Sequence, residues 1–156
     1  MRTLIAGFGN VLRGDDGFGV EVIRRLEASG VAGEGVELLD VGTGGIHLAH
    51  ALLARYDQLI VIDAVSRASA PGTLTIRLVE QIAAATDIDM HTTVPSRALA
   101  VAQALGGLPP RVLLVGCEPD HATLEEPLIG LSPAVSTAAD EAVARIQRLV
   151  ATTADV

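Results

Sequence analysis

At 156 residues with 49% apolar side chains, the chain is long enough to bury a good core and is expected to form one domain over 1–156. Aromatics supply only 2% of it, so the core must be layers of Val, Leu, Ile and Ala, which suits helices packed on a sheet. The net charge of -8 and the lack of a basic cluster argue against a nucleic-acid backbone or an anionic lipid surface as partner, leaving a neutral, basic or metal-bearing one. Cys117 is the sole cysteine, which excludes an intrachain disulfide and a cysteine-rich zinc site. The chain enters a strand at once, with no charged-then-apolar leader and no apolar run of membrane-spanning length, so a cytoplasmic location is expected.

In chain order, Thr3 to Ala6 reads as a buried strand, and Val20, Ile23 and Leu26 repeat at helical spacing over a helix from Gly17 to Ala28. Between them lies Gly7-Phe8-Gly9-Asn10-Val11-Leu12-Arg13-Gly14-Asp15-Asp16-Gly17-Phe18-Gly19, a glycine-rich turn carrying two adjacent acids. A dinucleotide fingerprint occupies the same strand-turn-helix context, but position 12 is Leu and the acids stand where a diphosphate would lie, so phosphate binding is disfavoured. Either acid could cap the helix. Capping needs only one, however, and a pair among four glycines lets a bulky partner approach closely, which favours a site.

Further strands are expected at Val36 to Leu39, Gln58 to Ile62, Gly72 to Leu78 and Arg111 to Val115, with helices at Ile46 to Arg55, Pro95 to Leu105 and Pro133 to Val150. Ser132 before Pro133 and Val94 before Pro95 supply start signals for the last two helices. The alternation implies an α/β fold, a mainly parallel twisted sheet of about five strands with helices on both faces. The Gly72 strand follows a short turn instead of a helix, so it pairs antiparallel, at an edge. Thr152 to Val156 is the expected frayed end.

Parallel sheets present functional groups at the carboxyl ends of their strands. Asp16, Asp40 and Asp63 all fall there, and Gly42-Thr43-Gly44-Gly45 after Asp40 can begin a helix while keeping side chains out of a groove. His91, in a polar connection after Asp87 and Asp89, would complete with Asp16 and Asp63 a nitrogen-and-oxygen ligand set suited to nickel or zinc with positions left open. Solvation is the plainer reading of a loop histidine, and turn formation that of a strand-end Asp. His47 and His50 form a rival pair on one helical face without the H-E-x-x-H signature. His121 and Cys117 flank Glu118-Pro119-Asp120. A lone Cys117 is more often a buried small hydrophobe than a nucleophile.

Over nearly its whole length the chain resembles the hydrogenase maturation proteases. The resemblance is carried by Gly7-x-Gly9-Asn10-x-Leu12-x-x-Asp15-Asp16-Gly17-x-Gly19, Asp40-Val41-Gly42-Thr43, Asp63-Ala64, His91, Gly116-Cys117-Glu118-Pro119 and Gly130-Leu131-Ser132-Pro133-x-Val135. It implies a phosphorylase/hydrolase-like α/β fold and an aspartic-type endopeptidase that trims the C-terminal extension of a nickel-iron hydrogenase large-subunit precursor once nickel is installed. It also implies that Asp16, Asp63 and His91 take the three metal-ligand positions and Asp40 the acid of a D-G-G-T motif, in which Val41 here replaces glycine. Asp16 and Asp40 are then the catalytic candidates, and Gly42, Thr43 and Gly44 the substrate groove. Nickel would arrive with the precursor. Two other readings stand beside this one: a nickel chaperone with the same ligands, and a nucleotide-binding domain.

Overall fold

The computed structural model describes residues 1–80 and 94–154. Near-continuous apolar runs that are buried on both sides form the central strands, β1 (Thr3–Phe8), β3 (Gln58–Ala64) and β5 (Arg111–Cys117), as a parallel sheet covered on two faces requires. Beside them lie β2 (Val36–Gly42) and β4 (Leu74–Leu78), giving one five-stranded sheet in the order β2-β1-β3-β5-β4. β1 pairs in parallel with β2 and β3, and β3 with β5. β4 runs antiparallel to β5 at the edge, as its short connection dictates. Each central strand runs past its apolar stretch because its neighbour keeps pairing with it: Asp63 and Ala64 stay in register with Gly116 and Cys117.

Alternate strand residues feed two cores. Ile5, Ile60, Ile62, Leu113 and Val115 pack under α1 (Phe18–Ser29) and α4 (Pro133–Ala154). Leu4, Ala6, Leu59, Val61 and Val112 pack under α2 (Ile46–Ala51), the 3-10 turn Leu52–Ala54 and α3 (Val94–Ala104). The helix expected from Ile46 to Arg55 thus tightens into a 3-10 turn after Ala51, and α4 continues through Ala154 where fraying was expected from Thr152.

The close seating of α1 on the sheet depends on two glycines that face each other. A Cβ on Gly19 would stand 2.3 Å from the carbonyl oxygens of Phe8 and Ile62, and one on Gly7 would stand 2.3 Å from Gly19 O. These obstacles are backbone atoms and cannot rotate away. Gly19→Ala is therefore expected to lower the unfolding free energy by at least about 1–3 kcal/mol, the range for overpacked cores, read as a drop in denaturant midpoint. An unchanged midpoint would refute this account of the α1 contact.

Candidate active site

The chain leaves β1 toward β2 on one side and leaves β3 past β5 to β4 on the other, so the carboxyl ends of β1 and β3 flank the point where the winding reverses. A cavity of about 360 Å³ opens there. Phe8, Gly9, Asn10, Arg13 and Asp16 line it from β1 and the turn that follows, Gly42 and Thr43 from the end of β2, and Asp63 and Ala64 from the end of β3.

The adjacent acids diverge. A 3-10 turn, Gly14–Gly17, precedes α1, whose N-cap position is held by Gly17 with no side-chain cap, so neither carboxylate caps the helix. Asp15 is fully buried and faces the interior. Its Oδ1 accepts from Ser132 N at 2.7 Å, and its Oδ2 accepts from Ser132 Oγ at 2.7 Å and Asp120 N at 2.9 Å. Thr123 Oγ1 accepts from Asp15 N at 3.0 Å. Ser132, expected to serve the start of α4, directs its hydroxyl to Asp15. Asp16 faces the cavity, half-buried, and its Oδ2 accepts from Asn10 N at 3.0 Å. Gly9, with φ of 134°, lets the turn close on itself, since a Cβ there would lie 1.9 Å from Asp16 O. The Asn10 amide that a phosphate would need is thereby already committed to a carboxylate, which works against the nucleotide reading.

Asp63 is 8% exposed. Burial first, and then the Asp16 charge, push its carboxyl up from an ordinary 3.8 to about 7, opposed by the Ala64 backbone amide. Arg13 is the one base on the lining, yet its Nη2 donates to Leu124 O at 3.2 Å, and it forms no ion pair with either acid among the described residues. Two carboxyl groups thus share a cavity with no cation paired to either among the described residues. That donor set suits an incoming divalent ion.

Asp40 does not line this cavity. It is exposed within β2, opposite Gly7, because β2 continues through Gly42 past a register shift. Gly42 and Thr43 do form the wall, and Gly42 O accepts from Gly9 N at 2.9 Å, while Gly44 lies beyond the lining. His91 lies outside the described residues. Among the described residues no group of three His, Cys, Asp or Glu is placed to hold a metal ion. His47 and His50 are exposed on α2, away from the lining. Cys117 is buried in the α1/α4 core, with its thiol pushed up to about 12 by burial and the charges of Asp15 and Glu118, which suits a packing role and not a nucleophile. Asn10 and Arg13 were not anticipated as site residues. The sequence signals were their place inside the glycine-rich turn and, for Asn10, its position in the motif that carries the resemblance.

A sequence model of the family described as hydrogenase maturation protease matches residues 20–149. The chain is 37% identical over 150 residues to the hydrogenase expression/formation protein HupD of Rhodobacter capsulatus, covering 94% of this chain and 70% of that one. It is 35% identical over 149 residues to the hydrogenase 2 maturation protease of Escherichia coli K12, covering 94% and 88%. The fold superposes on the hydrogenase maturating endopeptidase HybD from E. coli with a TM-score of 0.80 at 31% identity, covering 98% of this chain and 94% of that one.

Two stability measurements separate the acids. Asp15→Ala strands the amides of Asp120 and Ser132 and the Ser132 hydroxyl, and is expected to cost on the order of 3–5 kcal/mol, given the strength of hydrogen bonds to a charged group. A loss below about 1 kcal/mol, the scale of an ordinary cap, would show that the Asp15 contacts are not structural. Asp63 behaves oppositely. Unfolded, it titrates near 3.8 and folded near 7, so the folded state holds the extra proton between those values and loses stability as pH rises through that window. Asp63→Asn should therefore be more stable than the parent at pH 8, by on the order of 2–4 kcal/mol, with the difference vanishing toward pH 4. Parallel denaturation curves for both proteins at the two pH values check the sign, which a pH-independent difference would contradict.

Proposed function

The chain belongs to the hydrogenase maturation protease family, and from that membership we propose that it is the endopeptidase that removes the C-terminal extension of a nickel-iron hydrogenase large-subunit precursor after nickel insertion. The observation that carries this reading is the convergence of Asp16 and Asp63 on one cavity at the reversal point of the sheet, with no cation paired to either among the described residues, since Arg13 of the same lining is held at Leu124. The nickel belongs to the substrate. Asp16, Asp63 and, from the segment beyond the described residues, His91 would meet a nickel ion already held by the precursor, so a precursor without nickel lacks the anchoring interaction. Three protein donors leave coordination positions for groups of the precursor. We place the reaction in the cytoplasm.

In this reading the peptide lies along the wall made by Gly42 and Thr43. Water adds to the scissile carbonyl carbon, the carbon-nitrogen bond breaks, and the leaving nitrogen must gain a proton. A carboxyl near neutrality suits such transfers. Asp16 has a second task as an acid in contact with the cavity. Asp40, on the neighbouring strand and outside the lining, acts beside the metal by positioning the peptide or relaying a proton.

Incubation of the purified protein with nickel-loaded and nickel-free precursor, followed by the mass of the large subunit, tests the proposal. The loaded precursor should shorten and the empty one should not. Asp16→Asn, Asp63→Asn and His91→Ala should each leave the loaded precursor at full length. Asp40→Asn should still co-precipitate with loaded precursor but cleave it at least about a hundredfold more slowly, the low end of the range for a lost acid-base group. Unchanged length with wild-type protein would favour a chaperone, and equal trimming of both precursors would remove nickel as the checkpoint.

A further inference from the structure

We infer that a second binding site, for a small anion bearing phosphate or carboxylate groups, lies between the amino-terminal end of β5 and the carboxyl half of α4. A cavity of about 580 Å³ is formed there by Arg111, Arg145 and Arg148 around the apolar Met1, Ile76 and Leu149. Its volume falls in the range of small-molecule sites. Arg111 opens β5 and the other two arginines come from α4, so arginines from two distant parts of the chain line one space.

What sets this group apart is its convergence on one cavity, since several other arginines of the chain also lack an acid partner among the described residues. Arg2, Arg24 and Arg25 each engage an acid, and Arg145 is bound to Glu141. Arg111 and Arg148 form no ion pair among the described residues, although the chain carries 19 acids against 11 bases. Basic residues near the end of α4 complement the helix dipole, which is reason enough for Arg148 to be there. That field has no hold on Arg111, which belongs to a strand. It also opposes an anion, so the guanidinium groups must supply the attraction. Two of them without a counter-charge offer planar forks matched to phosphate or carboxylate oxygens, and the apolar floor accommodates a short carbon skeleton. Since Asp16 and Asp63 sit at the opposite, carboxyl end of the strands, this ligand is not the processed polypeptide.

Titration calorimetry with inorganic pyrophosphate and with citrate at fixed ionic strength tests the inference, because fixed screening separates a site from general charge attraction. At least one anion should bind saturably to the full chain, and Arg111→Gln with Arg148→Gln together should weaken it at least tenfold. Binding of pyrophosphate alone assigns a phosphate ligand, and binding of citrate alone a polycarboxylate. Both arginines are exposed, so the double variant should melt with the parent; should it unfold, the single Arg148→Gln variant is read instead. Saturable binding of neither anion, or equal affinity in parent and variant, overturns the site.

Discussion

The turn that carries the candidate site is held by a carboxylate that never reaches it. Asp15 lies buried under the loop after β1 and gathers donors from the exit of β5 and the residue before α4. With Thr123 Oγ1 accepting from its backbone amide, the Asp120–Thr123 stretch and Ser132 are both fixed to this one residue. The adjacent residue then has little freedom, because a 3-10 turn with Asp15 pulled inward leaves Asp16 turned toward the cavity. The two acids form one device, in which the buried member sets the direction of the half-buried one. An alanine at 15 would damage the site through its scaffold. An asparagine at 16 would alter the charge at the cavity and leave the scaffold's contacts to Ser132 and Asp120 in place.

The same economy appears in the sheet. Gly7 and Gly19 bring α1 against β1 and β3 so closely that the backbone of the helix start touches the carbonyls of Phe8 and Ile62. This contact sets the height of the turn above the strand ends. It also explains why the opening segment is rich in glycine without invoking a bound phosphate. A phosphate loop keeps its amides free, whereas here Asn10 N is taken by Asp16.

Much of this was legible in the sequence, and the parts that were not share a cause. The apolar runs of β1, β3 and β5 announce themselves because both faces are buried, and the short turn before Leu74 announces an antiparallel edge. Asp63 was readable as an acid at a strand end. The strand ends themselves were placed short, because pairing continues through Asp40, Asp63 and Gly116, residues whose polarity or size ends an apolar pattern without ending a ladder. The division of labour between Asp15 and Asp16 was illegible, since it depends on Ser132, 117 positions away, and both acids have equal local claims to a cap. Arg13 is a similar case: its lack of a charged partner follows from a carbonyl at Leu124 that only the tertiary structure brings near.

What remains is why the chain tolerates Asp63 at all. Burial and the neighbouring Asp16 both disfavour its charge, and the protein offers little in return beyond the Ala64 amide. Arg13 lines the same cavity and would relieve the repulsion if it turned inward, yet its guanidinium is held at Leu124. Folding alone would favour an apolar residue at 63, in line with Leu59 and Val61 on the same face of β3. An acid kept where it destabilises marks a position set by chemistry instead of packing. The charge left uncompensated is complementary to a cation brought from outside, and a partner that supplies it relieves the tension that folding leaves in place. Among the described residues the negative charge of this cavity thus has no bonded protein cation, the feature on which the proposed approach of a substrate-borne metal ion rests.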